Sequence, residues 1–237
     1  QLKKKGIIFH TSSKITGFKK NGKTEVELEK DGKQTRLKTD SVLLSVGRAP
    51  NLTGLDKLSV EYAGKFVKTD RNNQTSVDGI YAIGDLIGGY QLAHAASKEG
   101  IEAVNHITGK TNRKEALIPR CVYTFPEIAS VGMTEKEAKE AGFKLKTEQV
   151  DIAANGKAIA AGENSGFMKI IAEEQYGEIL GVVMVGAHVT EMISQATSYL
   201  HLEGTMEELD EMVFPHPTIS EALFEAAAKW MGQGIHY

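Results

Sequence analysis

Thr75-Ser76-Val77-Asp78-Gly79-Ile80-Tyr81-Ala82-Ile83-Gly84-Asp85 is the stretch on which the reading of this chain turns. Its β-branched and aromatic residues predict an apolar strand over 75–85 that delivers a glycine and then a carboxylate to its C-terminal end. In open α/β sheets, ligands sit at that end of the strands. A glycine there lets a ligand approach the backbone, and a carboxylate accepts hydrogen bonds from the hydroxyls of a sugar or polyol. The residues also allow a plainer reading, in which Asp85 closes a turn or caps the next helix.

Downstream, Gly88-Gly89 leads into a helix expected from about Leu92 to Ile107 and closed by Gly109. The polar run from Gly109 to Lys114 reads as a linker or domain boundary. Upstream, Val42-Leu43-Leu44-Ser45-Val46 is expected to form an apolar strand that exits into the turn-rich Gly47-Arg48-Ala49-Pro50-Asn51. That strand closes a β-meander beginning near Ile7, with tight turns at Asn21-Gly22 and Asp31-Gly32, dipeptides that tolerate positive φ. Between the turns, Val26 and Leu28 alternate with Glu25, Glu27 and Glu29, the pattern of a half-exposed strand. Gln1-Leu2-Lys3-Lys4-Lys5-Gly6 reads as the end of a helix, with cations at the negative end of the dipole and a glycine just beyond. A chain that opens on a helix end is expected to be a fragment.

From Val122-Tyr123 a new unit is expected. Thr134 and Glu137 form a capping box for a short helix that Gly142 ends. Strands are expected at Phe167–Ala172 and Ile179–Val185, then three helices at Thr190–Leu202, Thr205–Met212 (a second box, Thr205 and Glu208) and Thr218–Trp230. Strands followed by helices predict an α+β domain. The apolar positions Met192, Ile193, Ala196, Leu200, Leu223, Ala227 and Trp230 exceed what one small sheet would need to bury, so a two-fold interface is expected there.

Composition removes several classes. A formal charge of -3 gives no basic footprint for nucleic acid and no polybasic membrane signal, and no apolar run has the length of a bilayer span. The single cysteine, Cys121, excludes an intrachain disulfide and suits a reducing compartment. Set on an apolar strand, Cys121 reads as a buried small hydrophobe. His10, His94, His106, His188, His201 and His236 show no metal-ligand spacing, and no metal is expected.

Phe214-Pro215-His216-Pro217-Thr218-Ile219-Ser220-Glu221 carries the second candidate site. A histidine between two prolines has little backbone freedom. Glu221 lies five residues on, where a carboxylate on one ring nitrogen would fix the tautomer and raise the basicity of the other. The same residues allow a structural reading, because Thr218-x-x-Glu221 is also a capping box.

The stretch Thr75 to Asp85, continuing into Leu92-Ala93-His94, resembles the second flavin-binding motif of the FAD-dependent pyridine nucleotide-disulfide oxidoreductases. The likeness extends to Val46–Asn51 and to Tyr123-Thr124-Phe125-Pro126-Glu127-Ile128-Ala129-Ser130-Val131-Gly132, and so covers essentially the whole chain. His216-Pro217-Thr218 with Ser220-Glu221 is similar to the signature of the branch that oxidises dihydrolipoamide. Met192–Ala196 and Ser220–Ala226 match that branch better than the glutathione reductases, and the mercuric reductases lack such a histidine. Phe214-Pro215 departs from that branch, which usually shows a second histidine and a small residue there.

The resemblance implies α/β architecture followed by α+β. Residues 1–47 would be the tail of an NAD-binding domain, 48–115 part of the FAD-binding and central domain, and 116–237 a dimerisation domain. It implies that Asp85 binds the ribityl hydroxyls of FAD, that Gln91, Leu92, Ala93 and His94 set a helix N-terminus near the flavin, and that Gly47 lies near NAD. His216 and Glu221 would be the acid-base pair of a homodimeric dehydrogenase serving lipoyl domains of 2-oxo acid dehydrogenase or glycine cleavage complexes. Its place would be the bacterial cytoplasm, or the mitochondrial matrix of a eukaryote. The family's Cys-x4-Cys pair and Gly-x-Gly-x-x-Gly turns do not occur in this sequence, so the chain alone is expected to hold no stoichiometric FAD. Another disulfide reductase of the family, or an inactive dimerisation fragment, are the alternative readings.

Overall fold

Two hairpin turns fold the first part of the chain into a three-stranded antiparallel sheet, β1 (Lys14–Asn21), β2 (Lys23–Lys30) and β3 (Lys33–Thr39). The structure is a computed structural model in which residues 1–111 and 116–235 are described. Asp31 and Gly32, at φ 51° and 73°, form the two-residue loop that pairs Lys30 with Lys33. Positive φ at both loop residues matches the twist of the strands it joins. On one face Val26 pairs with Phe18 and Leu37; on the other Glu27 holds both Lys19 (2.8 Å) and Arg36 (3.1 Å). The Lys19 hydrogen bond leads in holding the Glu27 carboxyl below its ordinary pKa.

The strand expected at residues 42–46 does not form; Leu43 is 91% and Val46 78% exposed. An apolar run makes a strand only where another strand satisfies its backbone, and none among the described residues does so. The strand expected over 75–85 is also corrected. Thr75 bridges Thr69 and Gln74 bridges Tyr81, but Ser76–Gly79 turns the chain between them, with Gly79 at φ 74°. The turn residues Asp78-Gly79 overrode the apolar pattern. A small cluster of Val60, Val67 and Ala82, packed by Leu52, Leu55 and Leu86, holds this part together, next to a short hairpin of β4 (Tyr62–Ala63) and β5 (Phe66–Val67).

The described chain divides into two compact units, residues 3–92 and Ala93 onward with the first two residues. The second unit opens with α1 (Ala93–Ile107) and contains the strands β6 (Arg120–Val122), β7 (Glu127–Gly132), β8 (Leu145–Asp151), β9 (Phe167–Glu173) and β10 (Ile179–Gly186). These form one antiparallel sheet in the order β6-β7-β10-β9-β8. β10 reads as an unbroken apolar run because it is a central strand: Val182 pairs with both Val131 and Ile170, and Met184 with both Ala129 and Met168. At the end of β7, Gly132 sits at φ 77° opposite Gly181, where a Cβ would meet the Leu180 carbonyl at 2.3 Å.

Capping boxes form at both expected places, Thr134 with Glu137 opening α2 (Glu135–Glu140) and Thr205 with Glu208 opening α5 (Met206–Glu211). α3 (Gly156–Ala161) and β8 are not foreshadowed by the sequence, being short and weakly patterned. The remaining helices, α4 (Val189–His201) and α6 (Glu221–Trp230), pack on the sheet, α4 against β7 and β10 and α6 against β8 and β9. Ile193, Ala196, Leu200, Leu223 and Ala227 are all buried in this core. The expectation that these positions are surplus for an interface is therefore corrected: the sheet consumes them. A buried leucine such as Leu223 contributes roughly 1.5–3 kcal/mol over leaving it exposed.

The far end of α6 is tied to β8. Trp230 Nε1 donates to the Lys146 carbonyl (3.1 Å), and Lys146 Nζ donates to the Trp230 carbonyl (2.6 Å) while lying 4.2 Å from the ring centroid. That clamp fixes the helix whose first residue is Glu221. The linker reading of Gly109–Lys114 falls partly on residues 112–114, outside the described residues. No helix of the described chain is long and apolar enough to cross a membrane.

Candidate functional site

The segment between α5 and α6 forms no regular helix or strand. Phe214 packs against the core with its ring centroid 6.2 Å from that of Phe224. The His216–Pro217 peptide is cis. His216 is left 79% exposed at the side chain, and its Nδ1 lies 2.9 Å from Glu221 Oε1. An ionised carboxylate only accepts, so Nδ1 is the donor of this pair, and in the neutral ring the lone pair then falls on Nε2. The two residues singled out in the sequence therefore meet.

The structural alternative is partly realised beside it. Glu221 Oε2 accepts the Thr218 N–H at 2.7 Å, which is half of a capping box. The Thr218 hydroxyl donates to the Pro215 carbonyl at 2.8 Å, and the residue before the helix is Ser220, without a side-chain cap. One carboxylate thus serves a ring nitrogen and a backbone N–H, one oxygen for each. Behind the loop, Asn155 reaches the Thr218 carbonyl, a contact that nothing in the sequence pattern announces because 63 residues separate the two.

Asp85 stands in a helical turn of three residues, Gly84–Leu86, after Gly84 at φ 70°. Its Oδ2 lies 3.1 Å from Arg48 Nη1, an ion pair the sequence reading missed, and the Arg48 carbonyl accepts Lys65 Nζ at 2.9 Å. Asp85 is about half exposed. Gly47 is at φ 112°, and a Cβ there would meet open space. Gln91, at φ 52°, buries its Nε2 without a hydrogen-bond partner among the described residues. Leu92 is half-buried; Ala93 and His94 begin α1, and His94 Nε2 lies 2.8 Å from the Pro119 carbonyl. The division between the two units falls between Leu92 and Ala93.

Within the second unit, His94, Leu117, Pro119, Cys121, Ile193 and His201 line a groove of about 790 Å³. Burial leads in pushing the Cys121 thiol above its ordinary pKa, with Glu127 and Glu191 adding to it. A protonated, half-buried thiol is a poor nucleophile. Among the described residues no group of histidine, cysteine and carboxylate could hold a metal ion; His236 lies outside them.

With this geometry in view, comparison with known proteins identifies the class. The chain matches the family described as "Pyridine nucleotide-disulphide oxidoreductase" over residues 1–100 and that family's dimerisation domain over residues 118–227. The chain belongs to the pyridine nucleotide-disulphide oxidoreductases. It is 42% identical over 243 residues to a dihydrolipoyl dehydrogenase of Bacillus subtilis (strain 168), covering all of this chain and 51% of that protein. It is 41% identical over 243 residues to the dihydrolipoyl dehydrogenase of Rhizobium etli, covering all of this chain and 50% of that one. The crystal structure of LpdA from Mycobacterium tuberculosis superposes with a TM-score of 0.84 at 25% identity, over 96% of this chain and 50% of that one. The chain spans about half the length of the curated relatives it matches.

Proposed function

We propose that this chain is the C-terminal half of a homodimeric, FAD- and NAD-dependent dehydrogenase that oxidises dihydrolipoamide, with His216 as its acid-base group. The single observation that carries the reading is the exposed imidazole bonded at 2.9 Å to the Glu221 carboxylate. Nε2 takes a proton from one thiol of the dithiol, and the thiolate so formed is the competent nucleophile toward a disulfide. Glu221 keeps Nδ1 protonated beforehand and lies against the imidazolium afterwards, lowering the cost of its charge. The proton returns from Nε2 on the reverse step.

When bound, FAD would supply the two-electron relay between the dithiol-disulfide couple and NAD. By this reading Asp85 accepts ribityl hydroxyls, Gln91, Leu92, Ala93 and His94 meet the flavin, and Gly47 lies beside NAD. A buried amide nitrogen without a partner, Gln91 Nε2, suits a site whose remaining acceptor is a polar ligand. The first N–H groups of α1 suit negative charge on a reduced flavin. Residues 1–47, 48–115 and 116–237 would belong to NAD-binding, central and interface domains. Lipoyl domains would be the partners, and a reducing compartment, bacterial cytoplasm or mitochondrial matrix, the setting.

The test is His216→Gln in the full-length protein bearing this sequence. A positioned general base is worth roughly 10²–10⁴ in rate, so dithiol oxidation is expected to fall by that order. Transfer from NADH to ferricyanide, which bypasses the dithiol, is expected to survive. Loss of both activities together, or of neither, would make His216 a structural residue.

A further inference from the structure

The loop that carries the dyad is held from behind by a side chain the acid-base reading does not use. Asn155 lies between β8 and α3 and is only 7% exposed. A buried carboxamide is costly unless its polar atoms are bonded. Here Oδ1 accepts the Ala158 N–H at 3.0 Å, capping α3, and Nδ2 donates to the Thr218 carbonyl at 3.0 Å. These partners fix the orientation of the amide, since a backbone N–H only donates and a carbonyl only accepts.

Thr218 is thereby gripped at three atoms. Asn155 holds its carbonyl, Glu221 Oε2 its N–H, and the Pro215 carbonyl its hydroxyl. The remaining oxygen of Glu221 takes His216 Nδ1. A continuous run of hydrogen bonds therefore links Asn155, Thr218, Glu221 and His216. The support matters because residues 216–218 precede α6 and gain nothing from its ladder, while an imidazole 79% exposed is free to turn unless its backbone is pinned. We propose that Asn155 is a positioning residue of the dyad, fixing Thr218 and through it the aim of Glu221 and His216, without touching substrate. The proposal rests on the reading of His216 as the acid-base group.

Two variants keep the cap of α3 and remove the clamp. Asn155→Ser is an equally good N-cap but too short to reach the Thr218 carbonyl, and Asn155→Asp replaces the donor with an acceptor. In the full-length protein each is expected to lower dithiol oxidation roughly 10- to 100-fold, the order a small misplacement of a catalytic group costs. NADH-to-ferricyanide transfer is expected to hold. In ¹⁵N-histidine-labelled protein, the Nδ1 resonance of His216 is expected to leave its hydrogen-bonded position. Unchanged dithiol oxidation with an unchanged resonance would overturn the proposal. So would parallel loss of both activities, or failure of both variants to fold, since either makes Asn155 a residue of the fold alone. His216→Gln run alongside separates the two claims. If dithiol oxidation survives that change, the acid-base reading has failed; if it collapses there but not in the Asn155 variants, only the positioning claim has.

Discussion

Changing Glu221 to Gln removes one acceptor and adds a donor at a side chain that serves both a ring nitrogen and a backbone N–H. In the native arrangement Oε1 faces His216 Nδ1 at 2.9 Å and Oε2 faces the Thr218 N–H at 2.7 Å. A glutamine satisfies one of them. If its oxygen keeps Thr218, its NH₂ confronts Nδ1, which must then shed its proton and push the proton to Nε2, the wrong tautomer for a base. If its oxygen keeps His216, its NH₂ opposes the backbone N–H and the loop shifts. Either way a hydrogen bond to a charged group is lost, about 1.5–3 kcal/mol, which corresponds to about 10- to 150-fold in rate. The exposure of the ring places the expected loss toward the lower end, because solvent screens the pair. The assay, in the full-length protein bearing this sequence, is the proposed dithiol oxidation against NADH-to-ferricyanide transfer on the same preparation, with thermal melting alongside. A selective fall in the first is expected. A fall in melting temperature with both activities intact would refute the reasoning and leave Glu221 as the helix-entry acceptor it also is.

Two further outcomes are expected. Lys169 donates to Glu135 and leads in holding that carboxyl below its ordinary pKa of 4.5, so the pair's stabilisation is full above that value and fades as pH falls through the depressed one. Urea midpoints of Lys169→Met should therefore lie below the parent's at neutral pH and converge with them in acid; a gap that widens in acid would contradict the assignment. Residues 118–227 match a dimerisation domain, and Val213, Tyr123 and Phe125 are left 94%, 82% and 79% exposed. Sedimentation at micromolar concentration is expected to give twice the chain mass, and a clean monomer would count against a homodimer.

Local chemistry was legible in the sequence and distant pairing was not. The Asp31-Gly32 turn and both capping boxes announced themselves because each is decided within four residues. So did the approach of His216 to Glu221, five residues apart on a proline-stiffened entry. Residues 42–46 misled because their apolar pattern describes a strand whose neighbours the described residues do not supply. Thr75–Asp85 misled because a turn residue pair inside it outranked the periodicity. The helical apolar stripes looked surplus because the size of the sheet beneath them was underread, with β7 and β8 unmarked. Asn155 and Arg48 stayed hidden since their partners are fixed only by tertiary approach.

Helix ends open and close far more often than helices melt, and Glu221 stands at such an end, the start of α6. Because Glu221 is its first residue, each opening lets go of the Thr218 amide and the imidazole in the same instant. If the dyad acts as proposed, heat should dull dithiol oxidation by the full-length protein before it unfolds the protein. An Arrhenius plot of dithiol turnover is expected to bend downward while the fold, held at the other end of the helix by Trp230 and Lys146, still reads as native.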